Sequence, residues 1–245
     1  VSQYALTNDI DLYRPTNKTE LRALENQLDD YQADFFIVVA YGLIIPKNIL
    51  DLPRYQALNV HYSLLPQYRG ASPVVAQILH DDKIVGYSIM RLEPKLDAGA
   101  IFYQESFNMP EPLPSTETLA HTMSIKSAAI LPDIMHQIRA GDLESTPQDD
   151  SASTYCGKVN KADGFFDFAK NSDSDIYLKI KAYDPWPKTH FFVNYKQKPL
   201  RVVVNDAVFN DEQLQIKSVT PAGRSMMNWN EFCDWLGYDP MKSVG

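Results

Sequence analysis

Hydrophobic positions divide the chain into two textures. In the first part, stretches with helical spacing alternate with short apolar runs. Residues 19–31 ("TELRALENQLDDY") place Leu21, Leu24 and Leu28 on one face behind Thr19 as a cap, which predicts a helix. Residues 35–46 ("FFIVVAYGLIIP") begin as a strand that is apolar on both sides, the pattern of a central parallel strand. Residues 46–50 read as a short helix and residues 57–63 as the next strand. Residues 72–82 open with Ser72-Pro73, a cap followed by proline in the first helical turn. Residues 85–93 and 99–109 predict two more strands. Residues 115–141 predict one long helix, kinked near Pro132 and stopped by Gly141. Helices alternating with strands, followed by strands in succession, predict a three-layer α/β sheet with an antiparallel tail.

Beyond residue 141 the texture changes. Residues 142–154 ("DLESTPQDDSAST") lack large side chains and are rich in turn formers, as in a linker. Residues 172–183 form an amphipathic helical pattern. Three short β-rich runs follow at 189–195, 200–209 and 212–219, and "WNEFCDWLG" (229–237) closes the set. This part predicts a small β-barrel. The expected organisation is a domain over 1–141, a linker over 142–154 and a second domain over 155–245.

Charge refines that division. The net charge is −8, but residues 1–150 hold 11 basic and 20 acidic side chains, whereas residues 151–245 hold 12 and 11. An acidic chain is a poor general binder of polyanions, so any such contact is local and best placed in the C-terminal part. No apolar run approaches the roughly 20 residues of a membrane helix, and the start shows no signal-peptide pattern. The cysteines, Cys156 and Cys233, form neither a disulfide framework nor a C-x-x-C site, which suits a reducing cytoplasm. His80, His121, His136 and His190 show no paired ligand spacing, so no metal site is expected. There is no G-x-G-x-x-G, no P-loop and no G-x-S-x-G around Ser63.

The candidate chemistry lies in "ALNVHYSLLPQYRG" (57–70). Residues i and i+2 of a strand share a face, so Asn59 and His61 project together just before a turn at 63–66. In an open α/β sheet the ligand crevice lies beyond the carboxyl ends of the strands. The loop "EPKLDAGA" joins the next two strands, and Asp97 within it could reach the imidazole and favour its charged form. Amide, imidazole and carboxylate together suit acyl transfer to an amine: Asn59 and His61 donate to an oxyanion, and Asp97 handles the proton. Spacing alone also fits a satisfied structural Asn–His pair and an aspartate that only forms a turn.

"VVAYGLIIP", "ALNVHYSLLPQYRGASPV", "SIMRLEPKLDAGAI" and "IKAYDPWP", in that order, resemble methionyl-tRNA formyltransferases. N-x-H-x-S-L-L-P with a later L-D-x-G marks the folate-dependent formyltransferase superfamily, and the "PWP" after a helix points to the tRNA enzymes within it. The resemblance implies an α/β, Rossmann-like formyltransferase domain, N-terminally incomplete here, followed by an OB-like C-terminal barrel. It implies formyl transfer from 10-formyltetrahydrofolate to the α-amine of methionyl initiator tRNA by a cytoplasmic (or organellar) monomer that needs neither metal nor membrane. Asn59, His61 and Asp97 are implied as catalytic. Ser63, Leu64, Leu65 and Pro66 match the folate-binding motif, with Tyr41, Gly42, Leu43 and Ile44 beside the pterin. Lys158, Lys161, Lys179, Lys181 and Lys188 are candidate tRNA contacts, although any single one of them reads first as a solvated lysine.

The chain also departs from that family. A first strand, a G-T-P-like turn and a basic loop are missing before Val1, which would leave central strands of the sheet exposed. Lys95 and Lys188 stand where the family commonly has glycine. A sugar-nucleotide N-formyltransferase using the same donor remains an alternative, as does an impaired folate- or tRNA-binding fragment. A glycinamide-ribonucleotide enzyme would end without residues 155–245.

Overall fold

In the computed structural model, which describes residues 2–242, the N-terminal part begins with three short helices, α1 (Ser2–Thr7), α2 (Lys18–Ala23) and α3 (Glu25–Asp30). The single helix expected over 19–31 is broken at Leu24, which ends α2 and begins α3. Asn17, not Thr19, is the cap: its side chain accepts from the Thr19 and Glu20 amides, and Glu20 reaches back to Thr16. An asparagine immediately outside the apolar pattern outcompetes a threonine inside it, because only the outer residue meets the unpaired N–H groups of the first turn.

Then follow β1 (Phe35–Val39), α4 (Lys47–Leu50), β2 (Gln56–His61), the two-residue β3 (Arg69–Gly70), α5 (Pro73–Leu79), β4 (Ile84–Arg91), β5 (Ile101–Asn108) and α6 (Thr116–Ala140). The sheet order is β1-β2-β4-β5, with β1 parallel to β2 and the other pairs antiparallel. Leu58 and Val60 of β2 join Ile78 of α5, Tyr87 and Ile89 of β4, and Leu119, Met123 and Ile134 of α6 in one core. Each side chain fully buried there contributes about 1.5–3 kcal/mol. α6 starts at the Ser115 cap, continues through Pro132 and stops at Gly141 in the left-handed region, φ +79°.

β1 pairs in parallel with β2, as its apolar run predicts. It is an edge strand among the described residues, paired only with β2, and Ile37 and Val39 are exposed. The apolar run reports which faces suit burial.

After α6 the chain returns to the first sheet. Thr146 exchanges both backbone hydrogen bonds with Ile101, each 2.8 Å, and β6 (Tyr155–Cys156) pairs in parallel with β3. The remaining elements are α7 (Asp173–Ala182), β7 (His190–Tyr195), β8 (Lys198–Asn210), β9 (Gln213–Pro221), β10 (Met227–Asn228) and α8 (Trp229–Leu236). They enclose a second core that includes Phe166, Ile176, Phe191, Val202, Val219 and Phe232. The sheet order β10-β9-β8-β7 is antiparallel and open, not a closed barrel, among the described residues. Its hairpins turn on Lys196-Gln197 and Asp211-Glu212, all four at positive φ. These are two-residue loops of the kind that match strand twist, made here without the usual glycine.

His190 is buried in this second unit, and burial together with the nearby Arg201 charge holds its imidazole below the ordinary histidine value. Unfolding frees the ring to protonate near pH 6.5, so the unfolded state binds more protons as pH falls through that point. Stability should therefore decline between about pH 7 and pH 5. The decline should be smaller in His190→Gln, as read from urea midpoints across that range. An equal decline in both proteins would show that His190 does not contribute to it.

Candidate active site

The alternation along β2 decides what faces the site. Leu58 and Val60 point into the core, so Asn59 and His61 point to the opposite face. Both are nearly buried, at 8% and 6% exposure. The Asn59 amide has no hydrogen-bond partner within the protein among the described residues, although the strand around it is fully paired. The His61 ring is hydrogen-bonded at Nε2, and its Nδ1 faces a carboxylate. Nε2 donates to the Tyr68 carbonyl at 2.8 Å, and Nδ1 lies 3.8 Å from Asp97 Oδ2. A carbonyl only accepts, so the proton resides on Nε2 and Nδ1 is the nitrogen turned to the carboxylate.

Asp97 is placed by tertiary contacts. Its own backbone is left-handed, φ +46°, and its Oδ2 accepts from the Gly70 amide at 2.8 Å. Gly70 has φ +118°, and a Cβ there would stand 2.2 Å from the Cys156 carbonyl oxygen, so only glycine permits the β3–β6 contact. Gly99 is as constrained: a Cβ would lie 1.9 Å from the Arg91 carbonyl oxygen, where the loop closes through the Arg91–Ala100 hydrogen bond of 2.9 Å. The L-D-x-G pattern thus has a steric reason at its glycine.

Residues 63–66 form a pinned turn with a cis Leu65–Pro66 bond. Ser63 is fully buried and donates to the Gln67 carbonyl at 2.6 Å. Ser88 donates to the Ser63 carbonyl and accepts from the Leu65 amide, while Gln104 donates to the Leu65 carbonyl. Ser63 and Leu65 are therefore occupied inside the protein, and their polar groups shape the turn. Tyr41, Gly42, Leu43 and Ile44 follow β1 at the sheet end where β2 delivers His61. Tyr41 and Ile44 are exposed there, and no hydrogen bond joins 41–44 to Asn59, His61 or Asp97 among the described residues.

Sequence reasoning missed a group in the 142–156 segment. Gln148 donates to the Asp97 and Gly99 carbonyls, and Arg69, fully buried, grips Gln148 and Asp150. Lys95, at one of the unusual positions, pairs with the same Asp150 at 2.6 Å. An arginine at the end of the SLLPxxRG stretch was a visible signal, since a buried arginine demands partners elsewhere in the chain. Lys188, the other unusual residue, takes φ +67°, the conformation glycine adopts freely. Its amine pairs with Asp184.

Among the candidate tRNA lysines, Lys179 donates to the Phe165 carbonyl and Lys181 lies over the Tyr177 ring. The Lys158 and Lys161 amines have no partner among the described residues. Lys161 lines a cavity of about 390 Å³ with Ala162, Trp186, Pro187, His190 and Arg201. No group of three or more His, Cys, Asp or Glu side chains suited to a metal is present among the described residues. None of the described helices is long and apolar enough to cross a membrane.

A family model described as formyl transferase matches residues 3–135, more than half of the chain. A methionyl-tRNA formyltransferase from Alcanivorax borkumensis is 35% identical over 231 residues, which cover 91% of this chain and 68% of that one. The chain belongs to the methionyl-tRNA formyltransferase family. Its fold is shared by the methionyl-tRNA formyltransferase of Clostridium thermocellum, at TM-score 0.64 and 16% identity over 93% of this chain and 92% of that one. HypX from Aquifex aeolicus, solved in complex with tetrahydrofolic acid, has the same fold at TM-score 0.67 and 14% identity, over 89% of this chain and 41% of that one. The Rossmann-like α/β part thus stands as expected from the sequence.

Proposed function

We propose that this chain transfers the formyl group of 10-formyltetrahydrofolate to the α-amine of methionyl initiator tRNA, with Asn59, His61 and Asp97 as its catalytic residues. The observation that carries the site is the unpartnered Asn59 amide beside an imidazole whose Nδ1 faces a carboxylate. Attack of the amine on the formyl carbon makes a tetrahedral adduct with negative oxygen, and Asn59 Nδ2 donates to that oxygen. Because Nε2–H is committed to Tyr68, His61 exchanges protons with the adduct through Nδ1. Asp97, beside Nδ1, balances the imidazolium charge and accepts the proton shed by the amine, directly or through water. The proton taken by Asp97 is then passed to the tetrahydrofolate nitrogen as its bond to the formyl carbon breaks and the adduct oxygen re-forms the carbonyl, which completes the transfer. His61 and Asn59 act as one hydrogen-bonding pair on the adduct, as the sequence pattern implied.

Ser63, Leu64, Leu65 and Pro66 would border the folate as a rigid turn, and Tyr41, Gly42, Leu43 and Ile44 the pterin, at the strand ends where open α/β sheets bind ligands. The proposed division is 1–141, 142–154 and 155–245; a first core drawn mainly from residues before 142 and a second drawn from residues after 165 favour it, with Ala182 of α7 packing in the first. The C-terminal sheet is read as OB-like. In its favour, β8 carries register irregularities around Asp206, which bend a strand as a curled sheet requires. Its nucleic-acid face would be the cavity at Lys161, Trp186 and Arg201, where an exposed tryptophan can stack on a base between cations. A cytoplasmic monomer is the proposed state, checked by light scattering.

The deciding measurement supplies formyl-labelled donor with methionyl-tRNA, glycinamide ribonucleotide or an amino-sugar nucleotide. Label should pass to methionyl-tRNA. Transfer only to the sugar nucleotide would replace this reading with the sugar N-formyltransferase one.

A further inference from the structure

We propose that Gln148, oriented by Arg69, is a positioning residue for formyl transfer that holds the Asp97 carboxylate against His61. This rests on the function proposed above. The antiparallel exchange between Thr146 and Ile101 brings the segment after α6 across the end of β5. Gln148, two residues on, then reaches the Asp97 loop. Its Nε2 donates to the Asp97 carbonyl at 2.9 Å and to the Gly99 carbonyl at 2.7 Å. Its Oε1 accepts from Arg69 Nε at 3.0 Å and Nη2 at 2.7 Å. Both amide hydrogens and both lone pairs are thus used, and this leaves a single orientation of the amide. The third arm of Arg69, Nη1, meets Asp150 at 2.8 Å and the Tyr155 hydroxyl at 3.4 Å.

The loop needs this hold. Asp97 has a left-handed backbone that a non-glycine residue adopts only when its surroundings impose it. Two anchors do so. The Gly70 amide takes the carboxylate, and Gln148 takes the backbone on which that carboxylate is mounted. Arg69 and Gly70 are adjacent, so the residues that hold Gln148 and the carboxylate form one short strand, β3. The spacing between His61 and Asp97 is therefore set by a glutamine 51 positions downstream of Asp97. Without Gln148, the Gly70 bond alone would hold the carboxylate while the loop relaxes.

The test compares Gln148→Ala, Asp97→Asn and the double variant of the full chain. Gln148→Ala should lower kcat for formyl transfer by about a hundredfold, the scale of a misplacement near 1 Å. KM for either substrate should change less than about threefold, as for a group that acts on the transition state. In the Asp97→Asn background the same replacement should cost little further. The ¹⁵N shifts of the His61 ring should move in Gln148→Ala toward those of Asp97→Asn, while Thr146 and Ile101 amides stay protected from exchange. Additive losses in the double variant, or unchanged His61 ring shifts, would overturn the proposal. Should the unaltered chain transfer no formyl group, the function fails, and the ring shifts still decide whether Gln148 positions Asp97.

Discussion

An Asn59→Ala protein should fold as the parent does and lose about two to three orders of magnitude in kcat, the scale measured when one oxyanion donor is removed. The stability side follows from packing. Strand β2 is held by backbone pairing to β1 and β4 and by Leu58 and Val60 in the core, none of which uses the Asn59 amide. Removing an amide with no partner in the protein leaves no group behind it unsatisfied. The catalytic side follows from what that amide can do. Its N–H points into the only face of β2 not filled by the core, beside an imidazole already committed at Nε2. Asn59→Asp keeps the shape and removes the donor, so it should be as slow as Asn59→Ala. Single-turnover transfer with saturating donor reads the chemical step. An Asn59→Asp protein with near-normal turnover would remove Asn59 from the mechanism.

The second large effect is on stability. Arg69→Met should destabilise the fold by about 2–4 kcal/mol, a burden at the upper end of single substitutions. The methionine fills the volume but leaves the half-buried Gln148 Oε1 without its donors and releases Asp150. Asp150 is exposed and can recover water, so most of the cost lies at Gln148. Arg69→Lys should restore little, because one ammonium cannot reproduce a fork that meets Gln148 with Nε and Nη2 and Asp150 with Nη1. Urea unfolding with an unchanged slope would measure this directly. A parental midpoint for Arg69→Met would show that the cluster is decorative. The substitution should also slow transfer, because the same residue orients Gln148.

Lys95 and Lys188 show what an unusual residue can mean. Each has found a local solution. Lys95 adds its charge to the Asp150 cluster, and Lys188 accepts a left-handed backbone while its amine pairs with Asp184. Neither is visible from spacing, because a lysine in a loop reads as solvated until its partner is located.

What the sequence determined by itself is the set of elements with strong periodicity and the chemistry delivered by short spacing. The pair Asn59 and His61, two positions apart on an apolar strand, had to share a face, and Leu58 and Val60 had to take the other. The long helix ended at its glycine for a local conformational reason. The tertiary structure decided everything carried by backbone pairing or by contacts between distant segments. It arranged the C-terminal strands as an open antiparallel sheet among the described residues and divided the 19–31 helix in two. Above all it laid residues 146–150 across the Asp97 loop. Polar segments without periodicity show in sequence only that they are not core. Where Gln148 places its four hydrogen bonds depends on groups at 69, 97 and 99, and those meet only when the sheet is assembled.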